Sequence, residues 1–229
     1  MLLKNNDAGI EYLLQKPHCN DQKKNKKIAF LLHGFAQRAS HMMNMVGKQI
    51  SKEIPNTYVC SINGFHACKG YEGKKRYDWL RYDGYNWDKD SIQFTANKTA
   101  KILEVFIDHA LEEYDLEYKD FVLVGFSQGT RVSLHTALRL KNSCAGVLGF
   151  SGALSLPEML SKEVVSRPPV CLIHGDGDEV LPLTESVMAK KSLEEVGISV
   201  ELEIIEDLGH TVNEKALNKG LEFLRKVLS

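Results

Sequence analysis

Short continuous runs of apolar residues alternate along this chain with stretches whose apolar positions recur every three or four residues. The first strong run, "KIAFLLHG" at 27–34, is closed by Gly34. Similar runs occupy 57–63 ("TYVCSIN"), 120–126 ("DFVLVGF"), 145–152 ("AGVLGFSG") and 170–175 ("VCLIHG"). Runs of this length, bounded by glycine or polar residues, predict strands covered on both faces. The last candidate, "SVELEII" at 199–205, alternates Val200, Leu202 and Ile204 with Glu201 and Glu203, which predicts a strand half exposed near a sheet edge. Between the strands lie helical patterns. Leu103, Phe106, Ile107, Ala110, Leu111 and Tyr114 form one apolar stripe within 96–114, and Leu217, Leu221, Leu224 and Leu228 form another. Thr211 with Glu214 fits a capping box at the start of the last helix, and Thr184 fits the cap of a helix running to 196.

Strands separated by helices predict parallel pairing through right-handed crossovers. The expected fold class is α/β: a mostly parallel central sheet flanked by helices, in a single domain spanning 1–229. Only about twenty residues separate the strand at 145–152 from the next, too few for an inserted cap domain. Two stretches break the alternation. Residues 16–27 are polar and basic and predict an exposed connection. Residues 65–94 lack clear periodicity yet hold both tryptophans, Trp79 and Trp87, with six other aromatic residues. So long a stretch, about thirty residues, is usually functional or disordered, and its aromatic content argues against disorder. It is a candidate wall or lid of a binding site.

Composition narrows the class further. The 229 residues are 43% hydrophobic and 26% charged, with 29 basic and 30 acidic side chains and a net charge of −1. That balance excludes disordered and collagen-like chains and gives no global attraction to nucleic acid. No run approaches the roughly 20 apolar residues of a membrane-spanning helix. The N-terminus turns polar at once, so no secretory signal, stable membrane anchor or export is expected. Five cysteines, an odd number, fit reduced thiols, and the expected location is cytoplasmic. Cys60, His66 and Cys68 are of zinc-ligand type, but their spacing matches no common motif, and buried thiols are the better reading. No metal or cofactor is expected.

The chemistry centres on "VLVGFSQGT", with Gly125, Ser127 and Gly129 in a G-x-S-x-G pattern. Alone that pattern is common. Here it joins a buried strand to a helix ("TRVSLHTALRL"), which places the Ser127 hydroxyl on a sharp turn above the sheet's C-terminal edge. A serine needs a base to become a nucleophile, and histidine, with an ordinary pKa of about 6.5, is the natural one. Of His135, His174 and His210, the first lies within a helix and the second ends a buried strand. His210 lies in "EDLGHTVNE", beyond the same edge as Ser127, and is favoured on position. The carboxylate that orients such a base is offered by Asp176 and Asp178 in "HGDGDEVLP", or by Asp207. The turn "LLHGF" after the first strong strand could supply an oxyanion hole together with the residue after Ser127.

Taken together, "LLHGF", "GFSQGT", "HGDGDEVLP" and "LGH" resemble the phospholipase/carboxylesterase family, which includes the acyl-protein thioesterases, from about residue 27 to the C-terminus. The resemblance implies an α/β-hydrolase fold and hydrolysis of a carboxylic ester or thioester, small-molecule or lipid, through an acyl-enzyme. It implies Ser127 as nucleophile, His210 as base and Asp178 rather than Asp176 as acid, with the backbone N–H groups of Phe35 and Gln128 as oxyanion donors. His33 would then be structural. The chain departs from the family where Ala36 and Gln37 follow Phe35, since members usually carry glycine soon after the "HG" pair. Its "KRYDWLRYDG" matches the family's aromatic element only loosely. Leu154, Leu156, Met159, Leu160, Val180 and Leu181 could line an acyl groove, and an apolar loop surface could support a homodimer. Two other readings compete. One is a hydrolase-fold binding protein with an unused site. The other is a hydrolase of another class, such as a peptidase or, were the nucleophile a cysteine, a dienelactone hydrolase.

Overall fold

The computed structural model describes residues 2–5, 9–17, 26–68, 75–80 and 88–229. Among these described residues, eight strands form one sheet. In chain order they are β1 (Leu2–Asn5), β2 (Glu11–Gln15), β3 (Lys27–Leu32), β4 (Thr57–Ile62), β7 (Phe121–Phe126), β8 (Gly146–Phe150), β9 (Val170–Gly175) and β10 (Val200–Ile205). Two residues each of β5 (His66–Ala67) and β6 (Tyr77–Asp78) pair separately. The strand order is β1-β2-β4-β3-β7-β8-β9-β10. The first two pairings are antiparallel and the rest parallel. This is the mostly parallel α/β architecture expected from the alternation of runs and stripes, and it fits the α/β-hydrolase fold that the resemblance implies.

The continuous apolar runs have a direct cause. Side chains alternate across a strand, so a strand covered on both sides must be apolar at every position. Ile28, Phe30 and Leu32 of β3 enter one core layer, with Leu103, Phe106 and Ile107. Ala29 and Leu31 enter the other, with Met42, Val46 and Ile50. The first layer is covered by α3 (Lys89–Tyr114), α4 (Gln128–Ala137) and α6 (Leu183–Glu195). The second is covered by a helical stretch and by α7 (Glu214–Val227). That stretch comprises α1 (Ala39–Met42), a π-turn at Met43–Gly47, and α2 (Lys48–Glu53). Between β8 and β9 the chain forms only a 3-10 turn at Pro157–Met159 and α5 (Leu160–Glu163), so no cap domain is inserted there.

Several local expectations change. The antiparallel β1 and β2 were not legible as strands. The α3 helix begins at Lys89, with Asp88 capping the Ser91 N–H at 2.8 Å, so the end of the aromatic stretch is helical. The α6 helix starts after Pro182, and Thr184 lies inside its first turn rather than at its cap. The α7 helix is capped by Asn213, whose side chain accepts from the Ala216 N–H at 2.9 Å, so Thr211 is not the cap. β10 is an edge strand as expected. Its Glu201 and Glu203 pair with Lys226 and Lys219 of α7, but Ile204, expected inward, is half exposed. Most of the basic connection and two parts of the aromatic stretch, 69–74 and 81–87, which include Tyr71, Tyr82, Tyr85 and Trp87, lie outside the described residues, as does Cys19.

Candidate active site

Ser127, Asp178 and His210 each follow the C-terminal end of a parallel strand: β7, β9 and β10 respectively. Ser127 stands between β7 and α4 with φ 53° and ψ −116°, a conformation an L-residue adopts only under constraint. The constraint is visible. The Ser127 N–H bonds to Phe150 O at 2.9 Å, and Ser127 O accepts from the Thr130 N–H at 3.0 Å. A Cβ on Gly125 would lie 2.4 Å from Thr130 N, and one on Gly129 would lie 2.0 Å from Leu32 O. The glycines flanking the serine are therefore required by the close approach of α4 to β7 and β3. Gln128 begins α4, so its backbone N–H is among the unpaired donors of a helix N-terminus.

Asp178 is buried and held on both oxygens. Oδ1 accepts from the N–H groups of Val180 at 3.0 Å and Leu181 at 2.9 Å, and Oδ2 lies 2.7 Å from His210 Nδ1. Burial pushes the carboxyl up, but these N–H groups and His210 outweigh it and hold Asp178 below the usual carboxylate range. An ionised carboxylate only accepts, so His210 Nδ1 donates, and in the neutral ring Nε2 carries the free lone pair. The His210 ring packs on Phe126, the residue before Ser127, with centroids 4.9 Å apart. Of the three acidic candidates, Asp178 is the one joined to His210. Asp176 is exposed, and its Oδ1 accepts from the Asp207 N–H at 2.7 Å, tying the two loops together.

The turn after β3 is built around His33. Its Nε2 accepts from the Gly64 N–H at 2.9 Å, so its Nδ1 carries the proton and donates to Gly34 O at 2.7 Å. Burial lowers the His33 pKa to about 4, which keeps the ring neutral and the tautomer fixed. In a trans peptide C=O and N–H point oppositely. Holding Gly34 O toward His33 thus turns the Phe35 N–H the other way. Ala36 sits at φ 53°, in the left-handed region that favours glycine.

The sequence did not reveal what joins this turn to Ser127. The Gln128 side chain accepts from the Trp79 N–H at 3.1 Å and donates to Asp78 Oδ1 at 2.7 Å. Trp79 Nε1 donates to His33 O at 2.8 Å. Trp79 is fully buried, between His33 and Phe65, so this part of the aromatic stretch is a strut under the site. The expected groove residues divide. Leu154 and Leu160 are buried in the core, Leu156, Met159 and Leu181 are half-buried, and Val180 is 72% exposed beside Asp178. His135 is buried on α4, bonded to Asn97 at 2.8 Å. Among the described residues no three His, Cys, Asp or Glu side chains gather as metal ligands, and no helix is long and apolar enough to cross a membrane.

Comparison with known proteins bears on the same elements. The family model described as Phospholipase/Carboxylesterase matches residues 18–228. Esterase YpfH of Escherichia coli is 26% identical over 218 residues, covering 93% of this chain and 87% of that protein. Acyl-protein thioesterase 1 homolog 1 of Dictyostelium discoideum is 28% identical over 173 residues, covering 75% and 76% respectively. The crystal structure of esterase PE8 superposes with a TM-score of 0.86 at 30% identity, covering 96% of this chain and 99% of that one. The chain belongs to the phospholipase/carboxylesterase family, and with its α/β-hydrolase fold it is a carboxylic ester hydrolase.

Proposed function

We propose that Ser127, His210 and Asp178 form a catalytic triad that cleaves a carboxylic ester or thioester through an acyl-enzyme, within a single domain spanning 1–229. Ser127 Oγ attacks the carbonyl carbon while His210 Nε2 takes its proton. His210 returns that proton to the departing alkoxide or thiolate as the tetrahedral intermediate collapses. Water then attacks the acyl-enzyme with His210 again as base, releasing the acid and restoring Ser127. Asp178 holds the Nδ1–H tautomer and stabilises the imidazolium. The N–H groups of Phe35 and Gln128 are the proposed oxyanion donors, each worth about 3–4 kcal/mol in such sites.

The observation that carries this reading is the 2.7 Å contact of a buried Asp178 with His210, beside a serine in a strained strand-to-helix turn. It supports an equipped site over an unused one, because each of the three roles has its group. The test is hydrolysis of p-nitrophenyl esters from acetyl to palmitoyl by wild type and Ser127→Ala. Turnover by wild type and its loss in the variant is the expected result, and the chain-length profile reports the depth of the acyl site. Equal turnover by both proteins would refute the assignment.

A further inference from the structure

Asp178 Oδ2 faces two imidazoles. His210 Nδ1 lies 2.7 Å away, and His174 Nε2 lies 3.2 Å away. His174 is the last residue but one of β9 and is fully buried. The same Nε2 lies 2.8 Å from Leu181 O, so both of its neighbours only accept and Nε2 carries a proton. On the far side of the ring, Nδ1 lies 2.7 Å from Ser186 Oγ of α6, and Ser186 Oγ lies 2.7 Å from Gly152 O. Hydroxyl, imidazole and carboxylate thus recur as Ser186, His174 and Asp178 on the carboxylate that His210 uses. Ser186 is fully buried, with no face open to a substrate, so this second set is not a second nucleophile.

We propose that His174 is a positioning residue for Asp178, an inference that rests on the triad reading above. The backbone N–H groups of Val180 and Leu181 fix Oδ1 alone. That anchor is only as firm as the segment carrying Val180 and Leu181. The His174 Nε2–H donates to the Leu181 carbonyl and so fixes the segment that carries those N–H groups, while the same nitrogen lies 3.2 Å from Oδ2. Ser186 Oγ, 2.7 Å from Nδ1, packs against the far side of the ring and lies 2.7 Å from Gly152 O beyond β8. Oδ2 is thereby aimed at His210 Nδ1 before substrate arrives, which removes a reorganisation step from catalysis.

The experiment compares wild type with His174→Phe, His174→Gln, Ser186→Ala and Asp178→Asn. Circular dichroism and thermal melting check each fold. The readouts are kcat and KM on one p-nitrophenyl ester and the downfield proton resonance of the His210 Nδ1–H. Phe keeps the ring's bulk without a donor, whereas Gln carries an N–H donor to about the place of Nε2. Groups that orient a site's primary ligands typically matter by about 10–100-fold. His174→Phe should lose that factor in kcat with KM nearly unchanged and shift or broaden the resonance. His174→Gln should recover part of both, and Ser186→Ala should show a smaller loss of the same kind. Wild-type kcat and an unchanged resonance in folded His174→Phe would overturn the proposal. If that variant does not fold, the same result in both His174→Gln and Ser186→Ala would overturn it. Asp178→Asn separates the two levels. Activity indifferent to Asp178 sinks the triad itself, whereas activity that needs Asp178 but ignores His174 and Ser186 sinks only this inference.

Discussion

Gly129→Ala adds one methyl group where α4 meets β3, and two effects oppose each other. In a helix alanine is favoured over glycine by up to about 1 kcal/mol, because glycine loses more backbone entropy. Against that, the new Cβ would sit 2.0 Å from Leu32 O, 2.6 Å from Leu32 C and 2.8 Å from His33 O. Ordinary carbon contacts lie near 3.5–4.0 Å, so α4 and β3 must part by more than an ångström. These neighbours are backbone atoms of a central strand, and no rotamer change relieves the clash. Overpacking of this kind costs typically 1–3 kcal/mol or more, so the steric term wins and the variant is destabilised by about 2 kcal/mol. The effect on activity should be larger. Ser127 and the Gln128 N–H ride on the start of α4, and a displacement of about 1 Å in a catalytic group can cost about 100-fold. Gly220→Ala is the control. It too lies in a helix, but its Cβ meets only side-chain atoms, Phe150 Cζ at 2.9 Å and Leu148 Cδ2 at 3.0 Å, which can move. Urea denaturation and ester hydrolysis, measured on both variants, decide the matter. Gly129→Ala as stable and as active as wild type would refute the claim that close helix–strand contact shapes the nucleophile turn.

Three further outcomes follow from the same geometry. Asp178→Asn should lower kcat by about 10⁴-fold, as loss of the orienting carboxylate does in such triads. Asp176→Asn, at a side chain that accepts from the Asp207 N–H, should leave kcat within a few-fold, and a reversed order in the same ester assay would move the acid role to Asp176. Ala36→Gly should raise stability by up to about 1 kcal/mol, since it relieves an L-residue held at φ 53°, and an unfolding midpoint shifted downward would contradict this. Stability should also fall with acid. Burial depresses His33 from 6.5 to about 4 and His135 from 6.5 to about 3, so between those values the unfolded chain binds more protons. The contribution of each is complete above pH 6.5 and is lost as pH falls toward the folded value, by about 2 kcal/mol per histidine at pH 5. A urea midpoint equal at pH 7 and pH 5 would count against it.

How much was legible in the sequence depended on whether one local pattern decided the matter. The parallel strands were readable because burial on both faces leaves no polar position. The antiparallel β1 and β2 were not, since they are four and five residues long and polar residues flank them closely. Helix caps were misplaced by a residue or two: Thr211 was read as the cap of the last helix, but only the fold shows that Asn213, two residues on, meets the open N–H. At the site, position alone singled out Ser127 and favoured His210, because each follows a strand at one edge. Sequence position left the acid open among Asp176, Asp178 and Asp207. The family resemblance implied Asp178, and of the three it is the one within 2.7 Å of His210. The Gln128 strut to Trp79 and Asp78, and the contact of His174 with Asp178, join residues through tertiary packing. Their sequence separations of about fifty and of four residues follow no periodicity that could have announced them.

The central claim is that Ser127 becomes covalently acylated, and trapping the adduct tests it most directly. Wild-type protein would be incubated with a fluorophosphonate ester and its mass measured intact and after proteolysis. The account predicts one added phosphonyl group, located on the peptide that contains Ser127, absent in Ser127→Ala and formed far more slowly in His210→Ala. Stoichiometric labelling at another residue, or labelling that persists in folded Ser127→Ala, would contradict it.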